Sequence, residues 1–445
     1  MQNNLENLSE NQNRRTFLKT AALTAAAFYI VPRHVLGRGF VAPSDMLNFG
    51  FIGTGKQSGG LRDRFLASGE VQIVAAADVD RTKVARFVEA TNVFYQKKKG
   101  TTQYKTCLPH TDFKWMLLDK SIDAVVIASP DHWHAAMGVM AANAGKDIYL
   151  EKPLTLTVDE GRKLVTAVRK NNRVLQTGSM QRSAKEFRQA VELVMNGYIG
   201  DLKTVKVNVG GPPKDFDLQQ EPMREDLNWQ AWLGPNVVSR PYNSKLAPDI
   251  EESKKFWPAW RDYKDFGGGG MTDWGAHMFD IAQWGMEMDS SGPVEIVPPT
   301  DGGTQTGLIY RYANGIEMIH NNENLIDKSK KQYCHFIGTK GEVWVARGEL
   351  KTTPDTLKSI VIKDTEKRAY QSDNHYADFI KAIRSREKPI CDVEVGHRSA
   401  SVCNLGNIAY DLKRPLKWNP TTERFEGDEA ANAKLSREMK KGFSV

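Results

Sequence analysis

Cysteine is scarce in this chain: the four present, Cys107, Cys334, Cys391 and Cys403, are spread thinly over 445 residues. None forms a Cys-x-x-Cys pair and none has a histidine at metal-ligand spacing, so neither a metal site nor a disulfide framework is expected. Buried free thiols are the reading that remains. Blocks of one charge are also rare. The formal net charge is +7, yet basic residues are scattered outside the run Lys97, Lys98, Lys99. That run reads as a solvated loop, and no nucleic-acid partner is expected. Long hydrophobic runs are missing too. The apolar stretch at 20–31 falls short of the about 20 residues that a spanning helix needs, so no stable membrane span is expected after export.

What is present is the composition of an ordinary globular protein, with 40% hydrophobic and 26% charged residues. The length exceeds what one hydrophobic core usually serves, so two domains are expected. Ahead of the apolar stretch stands Asn13-Arg14-Arg15-Thr16-Phe17-Leu18-Lys19. Paired arginines before a short apolar segment resemble a twin-arginine export signal, which implies a periplasmic protein with residues 1–40 as the export segment. Removal is expected between residues 35 and 42.

From residue 47 the pattern becomes short apolar runs at 47–52, 71–77, 124–128 and 147–150, bounded by turn residues. Such runs read as buried strands. Helical stretches at 60–68, 81–90 and 132–144 alternate with them, the last with Asp131 as its expected N-cap. Alternation of this kind implies right-handed crossovers and a doubly wound parallel sheet over 45–155. Beyond Pro153 the rhythm changes. Two helices (158–171 and 184–195) flank a strand at 174–178, and strands follow at 202–209, 308–312, 316–321, 333–337 and 342–346. These imply an open, mainly antiparallel sheet in a second α+β domain over 156–445. A helix at 375–384 precedes a last stretch expected to pack back on the first domain.

Gly53-Thr54-Gly55-Lys56-Gln57-Ser58-Gly59 follows the first strand and opens a helix. Glycines there allow a tight turn and close approach to a pyrophosphate, whose charge meets the amides of the helix N-terminus. Ser58 replaces the third glycine of the dinucleotide fingerprint. Asp78 ends the second strand about 20 residues on, where a carboxylate binds a ribose and repels a 2′-phosphate. NAD is therefore expected ahead of NADP, with Gly53, Thr54, Gly55, Lys56, Gln57 and Asp78 around it.

Two further motifs end strands of the same sheet: Ser129-Pro130-Asp131-His132-Trp133-His134 and Glu151-Lys152-Pro153. Together they resemble the Gfo/Idh/MocA family, named for glucose-fructose oxidoreductase and inositol dehydrogenase, from about residue 47 to the C-terminal region. The resemblance implies that Lys152 lies beside the nicotinamide and the reacting carbinol, and that Ser129, His132, His134 and Glu151 border the cofactor. It also implies a cis Pro153. Gly267 to Gly270 precede Met271-Thr272-Asp273-Trp274-Gly275-Ala276-His277, whose Asp-x-x-x-His spacing puts both side chains on one helical face. By resemblance His277 is the general base and Asp273 positions substrate and base; an imidazole near neutrality suits proton transfer. Lys152, Asp273 and His277 are thus the catalytic and substrate-binding candidates. Gln181 and Arg182, in Gln176-Thr177-Gly178-Ser179-Met180-Gln181-Arg182, are further candidates for cofactor and substrate respectively.

Trp229, Trp232, Tyr242, Trp257, Trp260 and Tyr263 crowd one segment and read first as core, with sugar stacking as the alternative. The remaining histidines read as structural, with His397 beside Arg398 as a candidate for the cleft wall. The expected activity is hydride transfer between NAD and a hydroxyl of a sugar, cyclic polyol or glycoside. A redox-neutral NAD-dependent glycosidase is the second reading and a non-catalytic binding protein the third. An open sheet with one bare face also suggests a homo-oligomer, a dimer or tetramer.

Overall fold

Apolar runs with no polar face must be covered on both sides. In the computed structural model, which describes residues 45–445 apart from 101, 103, 104, 304, 305, 322–325, 328 and 444, those runs make the middle of a parallel sheet. The paired arginines and the expected export segment lie outside the described residues. The strands are β1 (Leu47–Ile52), β2 (Val71–Ala77), β3 (Leu108–His110), β4 (Ala124–Ile127), β5 (Asp147–Leu150) and β6 (Leu175–Thr177), in the order β3-β2-β1-β4-β5-β6. The order reverses between β1 and β4, which in a doubly wound sheet opens a crevice at the strand carboxyl ends.

Helices α1 (Lys56–Ala67), α2 (Arg81–Lys99), α3 (Lys114–Leu118), α4 (Asp131–Asn143) and α5 (Val158–Lys170) join these strands. The period-two alternation of the strands divides the core. Phe49, Phe51, Ile73, Val126 and Tyr149 pack on one face with Phe65 and Phe87. Ile52, Ala75, Val125, Ile127 and Leu150 pack on the other with Ala136, Leu164 and Val168. Each such buried Val, Leu or Phe side chain contributes about 1.5–3 kcal/mol relative to exposure.

Two sequence expectations need correcting here. Asp131 does not cap α4: Pro130 precedes the helix, and Asp131 sits buried in its first turn with no capping bond. Proline's fixed φ sets the entry, which leaves the carboxylate to face the crevice. The parallel sheet also runs on past residue 155, because α5 returns the chain and β6 pairs with β5 through Ile148 and Leu175. Thr157 and Glu160 form a capping box that starts α5.

The second sheet has nine strands: β7 (Leu202–Asn208), β8 (Glu295–Val297), β9 (Ile309–Arg311), β10 (Glu317–His320), β11 (Tyr333–Gly338), β12 (Glu342–Ala346), β13 (Glu349–Thr353), β14 (Leu416–Asn419) and β15 (Arg424–Phe425). Their order is β13-β12-β11-β7-β10-β9-β8-β14-β15. The β7–β10 pair is parallel and the others are antiparallel. Helices α6 (Lys185–Met195) and α7 (Gly275–Gly285) bury Phe187, Val191, Phe279 and Ile281 against Val205, Val207, Met318 and Phe336 of this sheet.

α8 (His375–Ser385) lays Tyr376, Phe379 and Ile380 on the first sheet. α9 (Val393–Leu412) contributes Val393 and Ala400 to the first core and Val402, Cys403 and Leu405 to the second. All four cysteines are buried and free. No helix among the described residues is long and apolar enough to cross a membrane.

The segment 210–266 folds over the end of β2. Leu227 bridges to Asp80, and Arg81 and Asn228 exchange backbone bonds with Asp226 and Val79. Trp229, Trp232, Tyr242, Trp260, Tyr263 and Phe266 form its private core. The core reading of these aromatics therefore holds for all but Trp257, which is 52% exposed.

Candidate active site

A cleft of about 1280 Å³ opens at the carboxyl ends of β1, β2, β4 and β5, and it runs from Asp78 and Arg81 to Asp273, His277 and Arg347. Its first wall is the turn after β1. Gly53 has φ +84°, and a Cβ there would stand 2.8 Å from the Ala128 carbonyl carbon and oxygen. Only glycine meets both demands. Gly53→Ala is expected to cost about 1–3 kcal/mol in backbone strain. It should also weaken NAD binding at least tenfold, read by titrating the purified protein with nucleotide.

α1 opens at Gly55 with no side-chain cap and no acid in its first turn, so its leading amides remain available to an anion. Ser58, in place of the third glycine, is fully buried and donates to the Gly53 carbonyl at 2.5 Å. That bond locks the turn. Thr54 lies beneath the cleft and anchors Asp78: its N–H and hydroxyl donate to Oδ2 at 2.6 and 2.9 Å. Burial raises the Asp78 carboxyl, against the opposing pull of Lys83 and the amides of Thr54 and Asp80. Arg81, the cation nearest in sequence that could welcome a 2′-phosphate, is turned onto the Glu225 carbonyl at 2.7 Å. The buried Ser129 hydroxyl has no hydrogen-bond partner among the described residues, and Ser129 belongs to the cleft wall. A bare helix start, a positive-φ glycine and a fixed carboxylate at the end of β2 fit a dinucleotide.

The far end carries a cluster of charged and titratable groups. Lys152 donates from Nζ to Asp273 Oδ1 at 2.6 Å and to the Asp273 carbonyl at 2.9 Å. Arg261 Nε reaches the same carboxylate at 3.3 Å. Burial would raise the Asp273 carboxyl, but Lys152 and Arg261 outweigh it and hold it below its ordinary value. His277 is buried, with Nδ1 unpartnered among the described residues, and its ring lies 5.8 Å from that of Trp274. Burial, reinforced by Lys152 and Arg347, drives its pKa well below the usual histidine value, which keeps the ring neutral. The buried carboxyls of Asp131 and Glu151 are raised, mainly by burial and against the pull of Lys152. Gln57 donates to Glu151 at 3.1 Å and ties the cofactor turn to the Lys152 motif. Lys152-Pro153 is a cis peptide, as the resemblance implied.

The glycine run before Asp273 serves close packing rather than loop freedom. A Cβ on Gly269, at φ +70°, would stand 2.5 Å from Pro213 N and 2.7 Å from the Gly211 carbonyl. That contact fixes the turn that delivers Asp273 and His277.

Of the residues singled out from sequence, Gly53, Gly55, Lys56, Gln57, Asp78, Ser129, Glu151, Lys152, Asp273 and His277 all line the cleft. Others do not. His132 is buried behind the wall with Nε2 on the Trp232 carbonyl at 3.0 Å. His134 braces the loop ends through the Pro153 and Ser129 carbonyls at 2.8 and 3.0 Å. Gln181 is buried against Met278. Arg182, 1% exposed, is spent on Asp280 and Asp289. His397 pairs with Glu423 at 2.7 Å, inside the packing of α5 and α9 and away from the cleft. Conversely, Asp131, Arg261 and Arg347 line the cleft although the sequence does not single them out as site residues, and Trp232, Trp257 and Trp260, from the set with sugar stacking as its alternative, line it too. Asp131 alone had a local signal, its place one residue after the Ser129-Pro130 strand end.

Comparison with known proteins agrees with this architecture. Residues 47–179 match the model "Oxidoreductase family, NAD-binding Rossmann fold", and residues 205–445 match "Oxidoreductase family, C-terminal alpha/beta domain". The uncharacterized oxidoreductase YrbE of Bacillus subtilis is 24% identical over 79% of this chain and 90% of its own length. An alpha-N-acetylgalactosaminidase of Shewanella oneidensis is 28% identical over 43% of this chain, and the match spans 44% of that enzyme. In fold, the WlbA dehydrogenase of Bordetella pertussis, solved with NADH and UDP-GlcNAcA, superposes with a TM-score of 0.56 at 16% identity over 84% of this chain and 99% of WlbA. With both domain models matched in order over a Rossmann sheet and a mainly antiparallel one, the chain belongs to the Gfo/Idh/MocA oxidoreductase family and is an NAD-binding oxidoreductase.

Proposed function

We propose that the protein oxidises a secondary hydroxyl of a sugar, cyclic polyol or glycoside, with hydride passing to NAD. The observation that carries this is the convergence of the Lys152 ammonium, the Asp273 carboxylate and the neutral His277 imidazole on the cleft whose other end fits the dinucleotide. Bound NAD supplies the hydride acceptor. His277, unprotonated through burial, takes the hydroxyl proton, and Lys152 donates to the oxygen as negative charge grows on it. Asp273 positions Lys152 by accepting from it, while Arg261 holds Asp273 from the other side. Ser129 and Glu151 line the cofactor's path.

A second reading has one specific support, the 28% identity to the S. oneidensis glycosidase over 209 residues. In that reading the hydride returns to the sugar after elimination and hydration, and NAD is unchanged at the end. We further propose export to the periplasm through the Arg14-Arg15 signal and assembly of subunits through the open face of the second sheet. One experiment separates the two chemistries. Nucleotide is released from the purified full chain and identified, and the protein is then offered free sugars, polyols and aryl glycosides. Stoichiometric NADH absorbance with a free sugar supports the dehydrogenase; aglycone release without net absorbance change supports the glycosidase. A purified protein that takes up no NAD and changes no substrate would overturn both.

A further inference from the structure

Three cations stand at the substrate end of the cleft, and two are already engaged. Lys152 and Arg261 share the Asp273 carboxylate, and Arg261 is also stacked against Trp260, 4.1 Å from the ring centroid. Arg347 is different. It sits in the tight turn between β12 and β13, and its guanidinium lies over the Trp274 ring at 4.6 Å. No carboxylate among the described residues lies within ion-pair range of it. The neighbouring acids are committed elsewhere: Glu349 pairs with Lys351 at 3.0 Å, and Glu186 accepts the Gly348 N–H at 2.8 Å. Asp273, already shared by Lys152 and Arg261, is the acid whose charge reaches Arg347, but it lies beyond ion-pair range, so the solvent-facing fork of the guanidinium is open to a ligand. It stands one tryptophan ring away from His277, on the same wall.

We propose that Arg347 selects a substrate bearing an anionic group, a sugar or glycoside with a carboxylate or a sulfate ester, which pairs with the guanidinium while a neighbouring hydroxyl faces His277 and Lys152. The inference rests on the sugar-oxidising reading above and narrows its substrate class. The planar fork of Arg347 matches either group with two parallel hydrogen bonds, and its position on Trp274 holds the fork still before the substrate arrives. A neutral sugar gains nothing from it.

The test uses the full chain with NAD bound and three probes: methyl glucuronide, glucose 6-sulfate and methyl glucoside. Binding is read by calorimetry and turnover by nicotinamide absorbance. One of the two anionic probes is expected to exceed methyl glucoside by about 10- to 100-fold in affinity and kcat/KM, the scale of a charge-assisted bidentate contact. Which of them wins identifies the anion. In Arg347→Met that preference should collapse through KM with little change in kcat, and in Arg347→Lys it should return in part. NAD affinity should not move in either variant. Equal handling of all three probes by the wild type, or a preference unchanged in Arg347→Met, overturns the inference even if sugars are oxidised. Arg347-dependent binding of an anionic probe without hydride transfer leaves the inference standing and overturns the proposed activity instead.

Discussion

Lys152→Met is expected to lower turnover of any active sugar by about 10³-fold, because it removes the donor placed to meet charge growing on the reacting oxygen. The loss should fall mainly on kcat. Methionine keeps the stem and its packing, so NAD should remain bound and the fold intact. The variant also removes the counterion that sits 2.6 Å from Asp273 Oδ1, which leaves Arg261 at 3.3 Å as that carboxylate's remaining cation. A second readout separates chemistry from structural damage. Burial depresses the His277 pKa most, and Lys152 is the largest charge adding to the effect. A depressed base stays competent down to low pH, so the acid limb of the wild-type kcat/KM profile should lie below pH 6.5, the ordinary histidine value. With Lys152 gone the imidazole is easier to protonate, and the limb should move upward. Residual activity whose acid limb stays in place would show that Lys152 does not face His277 in the working enzyme.

The sequence made the parallel sheet readable because both of its faces are covered. Residues 47–52 and 71–77 have no solvent side, so they appear as continuous apolar runs with sharp ends. β3 is unreadable for the opposite reason: three residues at the sheet edge, one of them Pro109, give no pattern. α9, at 20 residues the longest helix described, leaves no pattern in the sequence because it lies between the two cores and is buried nearly all round. A helix without a wet face has no period of 3.6 to read. β6 reads as a strand, but its place in the first sheet depends on where α5 returns the chain.

The candidate site divides along the same line. Gly53, Asp78, Lys152, Asp273 and His277 sit in short local motifs at strand or helix ends, and local geometry carries them to the cleft. Arg261 and Arg347 arrive through folding, from the segment covering β2 and from a turn of the second sheet. No spacing in the chain announces them. Gln181 and Arg182 show the reverse failure. Their position after β6 was sound, but position along the chain does not say which way a side chain points, and the turn at Met180–Ser183 aims both inward.

For Arg182 that inward aim has a large consequence. Its guanidinium makes paired bonds to Asp280 at 2.8 and 2.9 Å and to Asp289 at 2.8 and 2.7 Å, and it lies over the Trp284 ring. Arg182 and Asp280 are both 1% exposed. Removing one partner of a buried pair strands the other charge, so Arg182→Met is expected to destabilise the protein by about 3–5 kcal/mol. Asp280 would be left with Ser399, whose hydroxyl donates at 2.6 Å, as its chief remaining partner. Since stranding is the cause, adding Asp280→Asn to Arg182→Met should restore much of the loss, because a neutral amide costs far less to bury than a carboxylate. The check is the urea midpoint of the wild type and the two variants, followed by sugar kinetics on folded protein at low temperature. A residue that only holds α7 against the 180–183 turn leaves KM unchanged in the folded fraction. A raised KM with an unshifted midpoint would instead return Arg182 to the substrate.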